Sequence, residues 1–118
     1  MTTTPTIVEQ IQTLNDQFRT SFDSKLGRVM ITKGVQTLSP DQREQLLEAV
    51  KKFDNFNEGN DPYREHDFGK IDLSEGGSFY WKIEYLDRQR WQDSIGSSHP
   101  ADVKQTLRVM TIMCDWEY

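Results

Sequence analysis

Apolar residues recur at steps of three and four from Ile7 through Ile11, Leu14 and Phe18 to Phe22. That spacing lays one stripe along one face of an α-helix. Glu9, Gln10, Gln12, Asp16 and Gln17 fall between these positions and are expected to face water. Gly27 ends the section. In RVMITKG, Val29 and Ile31 alternate with Met30, which predicts a short strand closed by Gly34. A second helix is signalled from about Pro40 to about Asp54. Ser39 is its N-cap, Pro40 suits the first turn, and Gln42 completes a capping box. Leu46, Leu47, Val50 and Phe53 supply its buried face. Asp41 and Glu44 near the start and Lys51 and Lys52 near the end complement the helix dipole.

Beyond this helix the period changes to two. HDFGKIDL reads as a strand, and Glu75-Gly76-Gly77-Ser78 reads as a hairpin turn, glycine supplying the positive φ. In FYWKIEYLD, Phe79, Trp81, Ile83 and Tyr85 share one face, and Tyr80, Lys82 and Glu84 share the other. A long polar connection from Arg88 to about Lys104 leads to a last strand, TLRVMTIMC, apolar on both faces. Such a strand is either central in its sheet or meets a partner. The expected fold class is α+β: an antiparallel sheet of about four strands with two helices on one face, in the order α-β-α-β-β-β.

At 118 residues the chain is expected to be one domain with a frayed tail at residues 1–5. Its apolar and charged fractions are those of a globular protein. No apolar run approaches the roughly 18 residues of a membrane span. MTTTPT lacks the charged-then-apolar order of a signal peptide. The lone Cys114 has no disulfide partner within the chain, which fits a reducing, cytoplasmic compartment. The mild acidity argues against direct nucleic-acid binding, and no motif calls for a cofactor.

The net charge has one location. From Asp54 to Glu75 the chain carries seven acids against two bases, the whole of its net charge of −5. His66 lies in the middle, between Glu65 and Asp67. As a calcium loop, DNFNEGNDPYRE puts Asp54, Glu58, Gly59 and Glu65 at the EF-hand positions 1, 5, 6 and 12. However, Phe56 stands where an oxygen ligand belongs, Pro62 stands at the ninth position, and a strand follows rather than a helix. A looser divalent-metal site would use Asp61 and Glu65. A transition-metal site would add His66, Asp67 and the distant His99, but neighbours on a strand point to opposite faces. As an acid/base site, His66 is the proton carrier, with a carboxylate such as Asp67 beside it. No nucleophile-elbow sequence, glycine-rich phosphate loop or HExxH motif accompanies it. The structural reading has Asp61-Pro62 opening a turn, Tyr63 and Phe68 sealing the helix-to-sheet junction, and His66 and Asp67 bonding locally.

The long connection brings Trp91 and Ile95 together with Arg88 and Arg90. Tryptophan and arginine anchor many interfaces, and folding Trp91 back over the sheet edge is the structural alternative. Trp116 and Tyr118 pose the same choice at the C-terminus.

LNDQFR, RVMITKGV, FDNFNEGNDPYREHDFG, FYWKIEYLD and LRVMTIM together resemble a small bacterial family known only as a domain of unknown function, whose members are chromosomal and plasmid-borne. The resemblance implies one compact cytoplasmic domain and carries no reaction, cofactor or catalytic residue. The resulting expectation is a small acidic, non-catalytic protein-interaction module. Asp61, Tyr63, Glu65, His66 and Asp67 would meet a basic protein surface, and Arg88, Arg90 and Trp91 would form a second patch. Its narrower form is an inhibitor or accessory factor acting on a bacterial defence or nucleic-acid-binding complex. The alternative is a His/carboxylate enzyme or metal-dependent hydrolase centred on His66. Homodimerisation through the last strand is the third expectation.

Overall fold

The structure is a computed structural model that describes residues 4–75 and 77–118. Helix α1 spans Ile7–Ser21 and opens on a capping box between Thr6 and Glu9. Strand β1 is Gly27–Ile31, and a one-turn helix α2 follows at Lys33–Gln36. Helix α3 runs Pro40–Lys52 behind the Ser39/Gln42 capping box that the sequence announces, a device that stabilises by about 1 kcal/mol. Strands β2 (Phe68–Leu73), β3 (Gly77–Asp87) and β4 (Thr106–Cys114) complete the sheet. The described part of the β2–β3 turn includes Gly77 at φ 93°. Gly76 and residues 1–3 of the expected tail lie outside the described residues. Among the described residues no helix is long and apolar enough to cross a membrane.

The fold class is α+β, with two corrections. The sheet is mixed rather than antiparallel: in the order β1-β4-β3-β2, β1 pairs parallel with β4. The element order also gains α2, so three α-helices lie among the described residues where two were expected. Alternation along a strand reports which face is buried but says nothing about neighbour or direction. Here β2, β3 and β4 form an antiparallel meander. The α2–α3 connection carries the chain from β1 to the opposite edge, which leaves β1 beside β4. The last strand is therefore central, and its two apolar faces follow from being covered twice.

The main core lies between the helices and one sheet face. Phe18, Val35, Leu46 and Val50 pack there against Phe79, Trp81, Ile83, Met110 and Ile112. Gly69 is required in β2 because a Cβ there would collide with the Trp81 indole and the Phe53 ring. On the opposite face, Leu86, Leu107 and Val109 form a second cluster with Trp91 against it. The C-terminal turn docks through Glu117. Its carboxylate accepts from the Thr32 hydroxyl (2.5 Å), the Cys114 amide (2.8 Å) and the Gly34 amide (3.1 Å). Trp116 and Tyr118 on either side of it stay exposed, with the Tyr118 ring 4.9 Å from that of Tyr80.

Candidate functional site

One polar stripe of α1 organises the acidic junction. Gln12, Asn15, Asp16 and Arg19 fall three, one and three residues apart, so they share a helix face. Gln12 donates to the Arg64 carbonyl (2.9 Å), and Asn15 donates to the Glu65 carbonyl (2.9 Å). The Asp16 carboxylate accepts from His66 Nδ1, at 2.9 and 3.1 Å to its two oxygens. Arg19 is buried; it pairs with Asp16 (3.1 Å) and donates to the Val50 and Lys51 carbonyls at the end of α3. Thus α1 binds residues 64, 65 and 66 in succession. The expectation that Gln12 and Asp16 face water does not hold. A second stripe with the helix period, polar rather than apolar, was the signal for this.

These bonds hold a backbone that two side chains would otherwise resist. Arg64 (φ 59°) and His66 (φ 57°) both adopt the left-handed conformation, which disfavours non-glycine residues by roughly 1–2 kcal/mol each. Buried Asp61 closes the loop from within. Its Oδ1 accepts from the His66 amide (3.1 Å), and its carbonyl accepts from the Arg64 amide (3.1 Å). The Asn57 side chain accepts from the Gly59 and Asn60 amides, making the preceding turn. The His66 ring lies flat on Phe56, with centroids 3.8 Å apart and planes at 5°.

Asp16 and Asp61 stand at opposite ends of that ring. Asp16 takes Nδ1, while Asp61 Oδ2 lies 3.5 Å from Nε2. The carboxylate that orients His66 is therefore Asp16 on α1, and not the adjacent Asp67. Because the two carboxylates flank the ring, they do not converge on a point. Among the described residues no group of three or more His, Cys, Asp or Glu side chains is arranged to hold a metal ion. His99 is exposed in the other loop, where its backbone bonds Ser97 and Thr106.

Glu65 and Asp67 turn inward on the far side. The Tyr85 hydroxyl donates to Glu65 Oε1 (2.6 Å) and accepts from Asn15 Nδ2 (2.9 Å). Asn15 Oδ1 accepts from Arg108 Nε (2.6 Å), and Arg108 Nη2 reaches the Pro100 carbonyl (2.7 Å). Burial raises the Tyr85 phenol above its usual range, and the bond to Glu65 adds to this. Burial lowers Arg108 below the usual arginine range. Burial, and then the charge of Glu65, pushes the Asp67 carboxyl above the ordinary aspartate value. The expected outward gathering of Asp61, Glu65 and Asp67 is thus not what forms: Asp61 is buried and the other two are half-buried. The charge of Asp61 is dispersed by a hydrogen bond from a histidine amide and that of Glu65 by one from a tyrosine, which the loop sequence itself does not contain as a pattern.

What the junction does expose is a groove. A cleft of about 550 Å³ is lined by Asp61, His66, Phe56 and Glu58. It adjoins a second cleft of about 580 Å³, with Gln12, Pro62 and Arg64 lining both. Tyr63 and Val8 line the second. Tyr63 is 78% exposed, and so does not seal the junction as expected.

The other patch resolves toward structure. Arg88 donates to the Val103, Lys25 and Thr106 carbonyls, and Trp91 is half-buried over the second apolar cluster. Arg90 is exposed. Cys114 is buried, and burial followed by the Glu117 contact raises its thiol to about 11. At neutral pH it is therefore a protonated, unreactive group.

Fold and site together define a mixed-sheet α+β protein with a polar groove built on an Asp–His pair. Residues 31–117 match the family described as Protein of unknown function (DUF3768), and the chain belongs to that family. The match begins at the last residue of β1, so the α1 side chains that bind His66 precede it. No curated protein and no solved structure matches the chain.

Proposed function

We propose that the protein is a small interaction module that docks a partner protein on the groove between α1 and the acidic junction. Tyr63 carries this reading. A tyrosine 78% exposed, on a loop held rigid from beneath by Asp61, Asp16 and Gln12, is a pre-organised anchor. Exposed aromatic side chains with few rotamers are enriched at interface centres. Glu9 and Glu58 are exposed at the groove, so the complementary partner surface is basic. In the narrower form of this proposal, drawn from the resemblance, the partner is a bacterial defence or nucleic-acid-binding complex in the cytoplasm and the module inhibits it.

The test compares wild-type protein with Tyr63→Ala as bait in lysates of cells that express it, at low and raised salt. A discrete partner, retained about tenfold less by the variant and less at raised salt, is the expected result. Capture indifferent to Tyr63→Ala overturns the proposal, as does capture of nothing. The variant should melt with the wild type, because an exposed side chain contributes within about 0.5 kcal/mol.

One observation favours a second reading. Asp16 on Nδ1 of a ring that lines a cleft is the orienting half of a general acid/base pair. Among the described residues no serine, threonine, cysteine or lysine lines that cleft, so this reading makes water the nucleophile and His66 its base. Hydrolytic turnover by the purified protein is its mark.

A further inference from the structure

We infer that the sheet face turned away from the helices is a self-association surface, which pairs over β2 and β3 with the same face of a second copy of this chain. The helices pack on the opposite face, and the segment 88–105 covers the Leu86, Leu107 and Val109 end of this one. On the remainder, Phe68 and Lys70 of β2 point the same way as Tyr80 and Lys82 of β3, because Phe68 stands opposite Lys82 and Lys70 opposite Tyr80. The Phe68 and Tyr80 rings stack at 5.4 Å, and Tyr118, 74% exposed, tilts over Tyr80 at 4.9 Å. Contiguous rings of this kind are what soluble proteins place at contacts.

The order of the residues selects a second copy as the occupant. Each strand carries a ring and an ammonium two positions apart, Phe68 then Lys70 and Tyr80 then Lys82. A two-fold axis lying between two faces, across the strands, sets each strand against its own reverse. The midpoints of the two pairs, Gly69 and Trp81, are partners in the β2–β3 register, so one axis serves both strands. Lys70 of each copy then falls on the Phe68 ring of the other, and Lys82 on the Tyr80 ring, as cation–π contacts. Glu84 falls opposite Ser78, so directly opposed positions bring no like charges together. Sheets stack about 10 Å apart, a gap that side chains of this length fill.

The charges agree. The chain as a whole carries −5, yet here Lys70 is matched by Asp72 at 3.9 Å and Lys82 by Glu84 at 3.6 Å. Arg28, at the far edge on β1, is bound to the Ser24 and Gly27 carbonyls. The face therefore repels its own copy less than the acidic junction does, and it lacks the clustered excess of bases that a nucleic acid requires.

Sedimentation velocity of the full chain, from micromolar to millimolar concentration, tests this. A reversible monomer–dimer equilibrium is expected. Lys82→Glu sets a carboxylate on the opposing ring and should weaken the dimer about tenfold, whereas Lys82→Arg keeps the cation and should keep the dimer. Tyr118→Ser, on an exposed ring of the C-terminal turn, should also weaken it about tenfold. The Lys82 and Tyr118 side chains both reach solvent, so thermal melts of these variants should match the wild type. Tyr63→Ala belongs to the separate groove and should leave dimerisation unchanged. A monomer at every concentration overturns the inference, as does a dimer that either Lys82→Glu or Tyr118→Ser leaves intact. A dimer lost in Tyr63→Ala alone moves self-association to the groove and overturns it too.

Discussion

Two irregular segments of similar length, residues 53–67 and 88–105, separate the elements of this sheet, and they are held in opposite ways. The first is suspended from α1 by side chains: Gln12, Asn15 and Asp16 each reach one of residues 64–66. The second is zipped to β3 by its own backbone. Asp87 donates to the Ile95 carbonyl and Ser97 to that of Tyr85, while the Arg88 amide closes the segment's own ends on the Gln105 carbonyl. A segment held at points by side chains leaves space between them, and here the space is the groove over His66. A segment zipped along a strand fills its own space. Its arginine and tryptophan become struts, and the hollow beside it is smaller, about 220 Å³. Two loops that look equally functional by length and polarity thus diverge through the kind of bond that holds them.

The most disruptive way to break this contrast is at Asn15, which bonds the first segment directly and reaches the second through Arg108. Asn15→Leu removes its bonds to the Glu65 carbonyl, to Tyr85 and to Arg108. It leaves a buried guanidinium with its Nη1 already unpartnered. A loss of about 3–5 kcal/mol is expected, read from urea denaturation midpoints. Amide exchange should accelerate in both segments, and acceleration in one alone would show that Arg108 does not couple them.

Trp91→Ala is the next largest. It strips the half-buried indole from Leu86, Leu107 and Val109, and about 1–2 kcal/mol is expected to go with it. Partner capture through Tyr63 should be unchanged, since the second segment is a strut. A variant of wild-type stability that loses its partner would instead make Trp91 an interface residue.

The smallest effect lies within the first segment and depends on pH. Asp67 titrates above its ordinary value in the fold because burial and Glu65 oppose its charge. The folded state therefore holds its proton to higher pH than the unfolded chain does. Its contribution to stability is greatest below the ordinary aspartate range and falls as pH rises through the folded value. Asp67→Asn should thus be more stable than wild type at neutral pH, with the difference closing on acidification. A variant less stable at neutral pH would mean that the Asp67 charge is wanted.

Much of the architecture was legible in the residues. The Ser39/Gln42 box, the alternation of Phe79, Trp81 and Ile83, and the doubly apolar last strand each report a local environment, and each appears where expected. The site was legible only in part. His66, Asp61 and Tyr63 were identifiable as unusual residues of one segment. However, the polar stripe of α1 read as a solvated face, because Gln12 and Asp16 look the same whether they meet water or, some fifty residues away, a carbonyl and an imidazole.

The sequence alone determined the two longer helices, the four strands, most of their apolar faces and the concentration of charge in one segment, because periodicity and capping act between residues a few positions apart. The tertiary structure decided that β1 runs parallel beside β4 and that Asp16 rather than Asp67 orients His66. It also decided that three of the loop's carboxylates turn inward while Tyr63 turns out. Those outcomes depend on which distant groups the returning chain brings within hydrogen-bond reach, a quantity that no local pattern encodes.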